Sequence, residues 1–155
     1  MEKFFIIEDE HNLHLLRKKE LEEEYAECGR MKEEACSQSS ETWHDNPAFD
    51  EAEMKQKMVT SRYKELMNFL NNSRILALSI IENNDKDKVV IGSTVQLLVN
   101  GEEKTFTIGG YNTPIEGRIS YKTPLAKSII GLEMGEYCEF RVGNNNVEVE
   151  ILEIV

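Results

Sequence analysis

An uncompensated run of carboxylates lies in the first half of this 155-residue chain. Lys32 and Lys55 enclose a window without lysine or arginine. The acidic residues of this window are Glu33, Glu34, Glu41, Asp45, Asp50, Glu51 and Glu53. Carboxylate oxygens are ligands that Mg²⁺ and Ca²⁺ prefer. Because the window separates two helix-like segments, it is predicted to form the turn of a helical hairpin that delivers negative charge to a divalent metal held by a partner.

Charge and cysteine content restrict the function further. The net charge of −11 argues against a protein that tracks the phosphates of free duplex nucleic acid, which requires clustered lysine and arginine. Cys28, Cys36 and Cys138 form no CxxC motif, as expected for free thiols in a reducing cytosol. The apolar run FFII at 4–7 is too short to span a membrane. These features predict a cytoplasmic protein without a membrane partner.

Two long helices are predicted in the first half. The first covers 8–37 and has an irregular apolar stripe with a five-residue step from Leu16 to Leu21. The residues of this stripe are Leu13, Leu16, Leu21, Tyr25, Cys28 and Ala35. The second begins at Asn46-Pro47, a typical cap and first helical residue, and extends to about Asn83. Its apolar residues follow a heptad pattern, namely Phe49, Ala52, Gln56, Val59, Tyr63, Leu66 and Leu70. An antiparallel coiled-coil hairpin over 1–84, with its tip near 41–51, follows from this pattern.

The polar run NNDKDK at 83–88 marks the predicted boundary to a different second half. Strand-like runs occupy 89–92, 94–99, 104–109, 118–121, 138–142 and 147–155. Asn100-Gly101 is a strong hairpin signal. The segment TPLAKSIIG predicts a short helix with Thr123 as its cap, Pro124 at its first position and Gly131 as its stop. The fold class is therefore α+β, with a helix packed on an antiparallel sheet over 89–155.

The segment GRISYKTPLAKSIIGLEMGE at 117–136 resembles the signature of the C-terminal domain of bacterial Gre transcript-cleavage factors, a family of transcription elongation factors. In that family a G-x-I-S strand leads into an S-P-L/M-A-[RK] helix and a G-x-x-x-G-[DE] turn. The runs IGSTVQLLVNGEEKTFTI and VEVEILEIV are also similar to that domain. The resemblance implies an FKBP-like fold for 89–155. It also implies partner contacts at Ser120, Pro124 and Lys127 in this half and at Trp43 and Asn46 in the first half. The loop at 111–117 differs from the family's E-A-D stretch, which is thought to help dock this domain on the polymerase.

The sequence DNPAF at 45–49 is similar to the end of the family's tip motif D-L-S-E-N-A-E-Y. In this alignment Asp45 takes the position of the tip Glu, Asn46 that of the Asn, and Trp43 that of the Leu. The tip Asp falls on Thr42. The resemblance therefore implies that Asp45 is one tip carboxylate, whereas the second is either Glu41, one residue out of register, or absent. Trp43 either covers the tip itself or enters an apolar crevice of the partner.

In this family the hairpin is understood to enter the secondary channel of RNA polymerase. Two tip carboxylates then help to hold a second Mg²⁺, and the polymerase cleaves the extruded end of a backtracked transcript. The resemblance implies RNA polymerase as the partner and only indirect contact with nascent RNA and DNA. It also implies a monomeric factor that is not itself an enzyme and has no cofactor of its own. Mg²⁺ would be shared with the polymerase active site, and none would be held stably by this chain alone.

Three alternatives stay open from the sequence. Thr42 at the tip Asp position favours a polymerase-channel regulator of the same shape that does not stimulate cleavage. An FKBP-like domain could instead be a prolyl isomerase or peptide-binding module, which would need an aromatic-lined pocket. The heptad seam could also serve a structural protein that dimerises. His11 and His14 share a helix face, but no further cysteine or histidine completes a zinc site.

Overall fold

The computed structural model describes residues 3–38, 46–77 and 87–155. It divides into two compact units, one formed by Met1–His11 and Ser73–Val155 and the other by Asn12–Asn72. These bounds differ from the predicted domains 1–84 and 89–155. The physical reason is a pair of short parallel strands, β1 (Phe4–Ile7) and β2 (Ser73–Leu76), which belong to the first unit although they lie on either side of the helical unit in the chain.

The helical unit contains most of α1 (Glu8–Gln38) and all of α2 (Pro47–Asn71). The bounds of α1 confirm the prediction of a helix over 8–37. The prediction that the second helix extends to about Asn83 is wrong. At Asn72 the backbone N–H reaches the carbonyl of Asn68 at 3.2 Å and the side chain reaches it at 2.7 Å, and β2 begins at the next residue. Pairing with β1 therefore ends the helix earlier than local propensity suggests.

Contacts between α1 and α2 show that the two helices are antiparallel. Tyr63 donates a hydrogen bond to Glu22 at 3.1 Å, and the rings of His14 and Phe69 are 5.1 Å apart. Nearer the other end of the pair, Asn46 contacts Ala35. Residue numbers along α1 thus decrease as the numbers of their contact partners on α2 increase. The predicted seam of α2 is confirmed, since Ala52 and Val59 are buried and its other members are half-buried.

The seam of α1 differs from the predicted stripe. Its buried residues are one heptad apart, at His14, Leu21, Cys28 and Ala35. Leu13, Leu16 and Tyr25 are 38%, 58% and 50% exposed, so their assignment to the buried stripe is wrong. The half-buried Lys18 and Lys32 continue the seam instead, because a lysine stem can cover apolar surface while its ammonium group stays in water. With these residues the irregular step disappears.

The elements of the second half are β3 (Thr94–Val99), β4 (Glu102–Gly109), β5 (Arg118–Ser120), α3 (Pro124–Ile129), β6 (Tyr137–Val142) and β7 (Asn145–Ile154). The five strands form a mixed sheet in the order β5-β4-β3-β7-β6. The β4–β5 pair is parallel, so the prediction of a purely antiparallel sheet is wrong. The predicted strand at 89–92 is also wrong. After an isolated bridge from Lys88 to Glu133, residues 89–90 have no regular structure and residues 91–92 form a turn.

One core holds this unit together. Strand residues, α3 and Val89, which precedes β3, supply its buried side chains, which are Val89, Val95, Leu97, Ile108, Ala126, Ile129, Val149 and Ile151. The predicted Asn100-Gly101 turn is confirmed, with φ values of 49° and 83° at these two residues. The fold class is α+β, as predicted. Within the described residues, no helix is both long enough and apolar enough to cross a membrane.

Candidate functional site

The predicted tip lies only partly within the described residues. Glu41, Thr42, Trp43 and Asp45 lie outside them, and their roles stay predictions. Asn46 is the first described residue after the tip. The contacts of Asn46 therefore show how the start of α2 is held beside the end of α1.

Asn46 ties the end of α1 to the start of α2. Its backbone is extended, with φ −110° and ψ 93°, and its Oδ1 accepts the N–H of Phe49 at 3.3 Å, as an N-cap does. Its Nδ2 donates to the carbonyl of Ala35 at 2.8 Å. That carbonyl lies in the last turns of α1, where backbone acceptors lack helical partners. The amide side chain of Asn46 thus joins the last turns of α1 to the first turn of α2, on either side of the acidic segment 39–45.

Lysines beside this segment compensate the carboxylate of Glu53. Lys32 lies over the ring of Phe49 at 5.4 Å and 3.9 Å from Glu53, which also pairs with Lys57 at 2.8 Å. The hydrogen bond from Lys57, with the charges of Lys57 and Lys32, lowers the pKa of the Glu53 carboxyl. Glu53 is therefore engaged on the side of the hairpin. This pairing leaves the predicted tip carboxylates, rather than Glu53, as candidates for a partner's metal.

Asn46→Ala is expected to lower the free energy of unfolding by about 2 kcal/mol, because it removes a helix cap and a second hydrogen bond, each worth about 1 kcal/mol. Asn46→Asp is the matched control, since aspartate caps equally well but cannot donate to Ala35. It should lose about half as much. Urea unfolding followed by circular dichroism measures both variants. Equal losses in the two would show that the bond to Ala35, and not the cap, carries the effect.

The predicted contact residues of the α+β unit lie at the end of β5 and on the short helix α3 that follows it. Ser120 ends β5, and its Oγ donates to the carbonyl of Tyr111 at 2.8 Å. The Ser120 carbonyl accepts the hydroxyl of Thr123 at 2.8 Å, and Thr123 caps α3. Pro124 and Lys127 on this helix are exposed. The structure therefore places Ser120, Pro124 and Lys127 on one connected segment, with Ser120 bonded within the chain and the other two open to solvent.

A buried carboxylate that sequence reasoning missed lies close to this segment. Glu10 is 0% exposed. Both of its oxygens accept the N–H of Gly110, at 2.9 and 3.1 Å, and one accepts the N–H of Ile7 at 3.1 Å. Arg118 Nη1 lies 3.4 Å from Glu10 Oε1. Backbone donors and a guanidinium group thus replace the water that a buried carboxylate loses.

Asp9 holds Arg118 in place with two parallel hydrogen bonds. Arg118 donates to its two oxygens at 2.9 and 2.6 Å, the bidentate arrangement that suits guanidinium and carboxylate. These bonds lower the pKa of the Asp9 carboxyl, although partial burial opposes them, and they raise the pKa of Arg118. The ion pair is therefore charged at neutral pH. One arginine engages both Asp9 and Glu10.

The glycines at the end of β4 make room for Glu10. A Cβ on Gly109 would lie 2.7 Å from Glu10 Oε1, and a Cβ on Gly110 would lie 2.8 Å from the Cα of Ile6 and collide with Glu10 Oε2. The Gly109-Gly110 pair is the local signal in the sequence, but it does not indicate which side chain the glycines accommodate.

Aromatic side chains extend this contact along β1. The rings of Phe4 and Tyr111 are 4.1 Å apart, and those of Phe5 and Tyr121 are 6.1 Å apart. Tyr111 donates its N–H to the carbonyl of Phe5 at 2.8 Å, and the N–H of Phe5 reaches the hydroxyl of Tyr121 at 3.4 Å. The 111–117 loop, divergent from the family pattern, is thus bound to β1 at its first residue.

Across residues 3–38, 46–77 and 87–155, no three His, Cys, Asp or Glu side chains converge on a possible metal position.

The structure defines a class of protein with two antiparallel helices joined through an acidic segment and a separate α+β unit. The family model described as "Transcription elongation factor, GreA/GreB, C-term" matches residues 84–155.

Curated relatives extend this similarity to the helical unit. A transcription elongation factor GreA of Halalkalibacterium halodurans is 31% identical over 157 aligned residues, which cover 95% of this chain and 98% of the relative. One from Bacillus anthracis is 35% identical over 71% of this chain and 70% of its own. One from Mycoplasmopsis pulmonis is 42% identical over 61% of this chain, and the match spans 60% of its own length. The chain therefore belongs to the GreA/GreB family of transcription elongation factors.

Among solved structures, the crystal structure of GreA factor homolog 1 of Thermus thermophilus aligns with 99% of this chain and 99% of its own, with a TM-score of 0.44 and 17% identity. Family membership stands on the sequence relatives and the family model.

Proposed function

We propose that this protein binds RNA polymerase, inserts its helical pair in the secondary channel and promotes transcript cleavage in backtracked complexes. The observation that carries the proposal is the pair of hydrogen bonds made by the Asn46 side chain. They join the ends of two antiparallel helices on either side of an acidic segment. The full-length similarity to a GreA factor supports the same assignment for the helical unit. The protein would act in the cytoplasm as a monomer and would touch nascent RNA only through the polymerase complex.

Asp45, and Glu41 as the second candidate, would supply the tip carboxylates. Mg²⁺ takes one or two carboxylates and otherwise keeps waters, so a single Asp45 suffices for a shared site. Such an ion, held jointly with the polymerase, would stabilise the charge that develops on the cleaved phosphodiester. The chain's own contribution is to bring the carboxylates to that position. No covalent step is assigned to it.

The FKBP-like description of the α+β unit belongs to the same proposal. Its support is a five-stranded sheet with one short helix and the family signature over that helix. A peptide-binding or isomerase role would require free aromatic surface on this unit. Contacts of Tyr111 and Tyr121 with Phe4 and Phe5 of β1 occupy part of the aromatic surface that such a role would use.

The proposal is tested by adding the protein to stalled, backtracked elongation complexes and measuring transcript length. We expect shortened transcripts with the wild-type protein and their loss with Asp45→Ala. Glu41→Ala decides whether a second carboxylate acts. Asp50→Ala is the matched control, since Asp50 is an exposed acid of the same window inside the first turn of α2.

Inhibition of the polymerase without shortened transcripts would contradict cleavage and leave the channel regulator. In that case Thr42→Asp, which restores the tip acid of the family, is the informative variant. Cleavage gained with Thr42→Asp would locate the deficiency at that position.

A further inference from the structure

The loop between β4 and β5, residues 110–117, is fixed at both ends by the start of the chain. Gly110 donates to both oxygens of Glu10, and Tyr111 donates to the carbonyl of Phe5. At the other end Arg118 contacts Glu10 and Asp9. Glu10 thus reaches both ends of the loop. Its carboxylate therefore holds Gly110 and Arg118, at the two ends of the loop, close to each other.

The same loop is hydrogen-bonded to the segment predicted to contact the partner. The Tyr111 carbonyl accepts the hydroxyl of Ser120, whose own carbonyl accepts the hydroxyl of Thr123. Thr123 then accepts the N–H of Ala126 at 3.3 Å and so caps α3, which carries the exposed Lys127. An unbroken series of contacts thus leads from Glu10 to the start of α3.

We propose that Glu10 is a positioning residue for partner binding: it holds loop 110–117, and through Tyr111 and Ser120 the start of α3, in the arrangement that contacts RNA polymerase. This inference rests on the proposed function, because it assigns the polymerase as the partner. Glu10 itself has no exposed surface with which to contact a partner. Its effect on binding is therefore entirely through the loop.

The Glu10→Gln substitution separates positioning from packing. It keeps the size of the side chain but replaces one acceptor oxygen with an NH₂ group. Whichever oxygen is replaced, the NH₂ group faces the Gly110 N–H, from which it cannot accept. Arg118 keeps its two bonds to Asp9. The variant is therefore expected to fold with a displaced loop.

The test compares the affinity for RNA polymerase with the stability of each variant. Glu10→Gln is expected to weaken binding about tenfold, the effect of losing one charge-assisted hydrogen bond. Val149→Ala, a core substitution in the same sheet, controls for stability, and Glu8→Gln controls for the lost charge in the same helical turn. Both controls should bind as the wild type does. Hydrogen exchange at the Gly110 and Tyr111 amides should rise only in Glu10→Gln.

A double-mutant cycle with Ser120→Ala tests the route. If Glu10 acts through Tyr111 and Ser120, the double variant should bind no more weakly than the weaker single variant. Additive losses would overturn the proposed route. Wild-type affinity in Glu10→Gln, or an equal loss in Val149→Ala, would overturn the positioning role. No binding by the wild-type protein would instead overturn the proposed function, and the hydrogen-exchange result would still decide whether Glu10 orders the loop.

Discussion

Gly110→Ala is expected to lower the free energy of unfolding by about 3 kcal/mol or more, because the new methyl group has no space. Its Cβ would lie 2.8 Å from the Cα of Ile6 and 2.9 Å from the carbonyl oxygen of Phe5, and it would collide with Glu10 Oε2. Two of these neighbours are backbone atoms of β1, which cannot move without breaking the pairing with β2. Relief would require Glu10 to leave its buried position.

Urea unfolding of Gly110→Ala should therefore show a markedly lower midpoint, with early exposure of β1 to hydrogen exchange. Gly29→Ala is the matched control. Gly29 lies inside α1, and a Cβ there would meet no atom within 4 Å. That variant should gain about 1 kcal/mol, since alanine is the better helix former. An unchanged midpoint for Gly110→Ala would contradict the close packing of Glu10 against the loop.

Arg118→Met is expected to cost about 3 kcal/mol, because it leaves the buried Glu10 carboxylate without its cationic neighbour. The Arg118 side chain is 18% exposed, and methionine fills similar space without a charge. Arg17→Met is the control, since Arg17 pairs with Glu20 on an exposed surface of α1. Exposed ion pairs contribute about 0 to 1 kcal/mol. Equal losses in the two variants would show that burial does not strengthen the Arg118 contacts.

The pH dependence of the Arg118→Met effect follows from Asp9. Hydrogen bonds from Arg118 lower the pKa of the Asp9 carboxyl in the folded protein relative to the unfolded chain. The stability this provides is therefore present above the unfolded pKa and is lost as pH falls through the folded value. The difference between wild type and Arg118→Met should be constant near neutral pH and shrink below about pH 4. A difference that grows on acidification would contradict this sign.

The structure bears out the predictions whose signals are local. Heptad spacing from Phe49 to Leu70 predicts the seam of α2, since each apolar residue meets the next one turn later. Asn46-Pro47 and Thr123-Pro124 predict the starts of α2 and α3, because an acceptor side chain followed by proline suits the free N–H groups of a first turn. Asn46 is the part of the candidate site that the sequence located and the structure describes. Glu41 and Asp45 stay predictions.

Long-range contacts decided what local patterns could not. The early end of α2 depends on the pairing of β2 with β1. The seam of α1 depends on which helix face packs against α2, and for this reason His14 and Lys18 lie in the seam while Leu13 and Leu16 are exposed. Glu10 meets Gly110 across 100 positions of the chain.

Sequence by itself thus determined the family, the main elements and the acidic segment, since their signals are motifs and periodicities within one stretch of chain. Only the tertiary structure revealed the loop held by Glu10. A buried carboxylate is identified by the donors around it, and those donors come from separate parts of the chain.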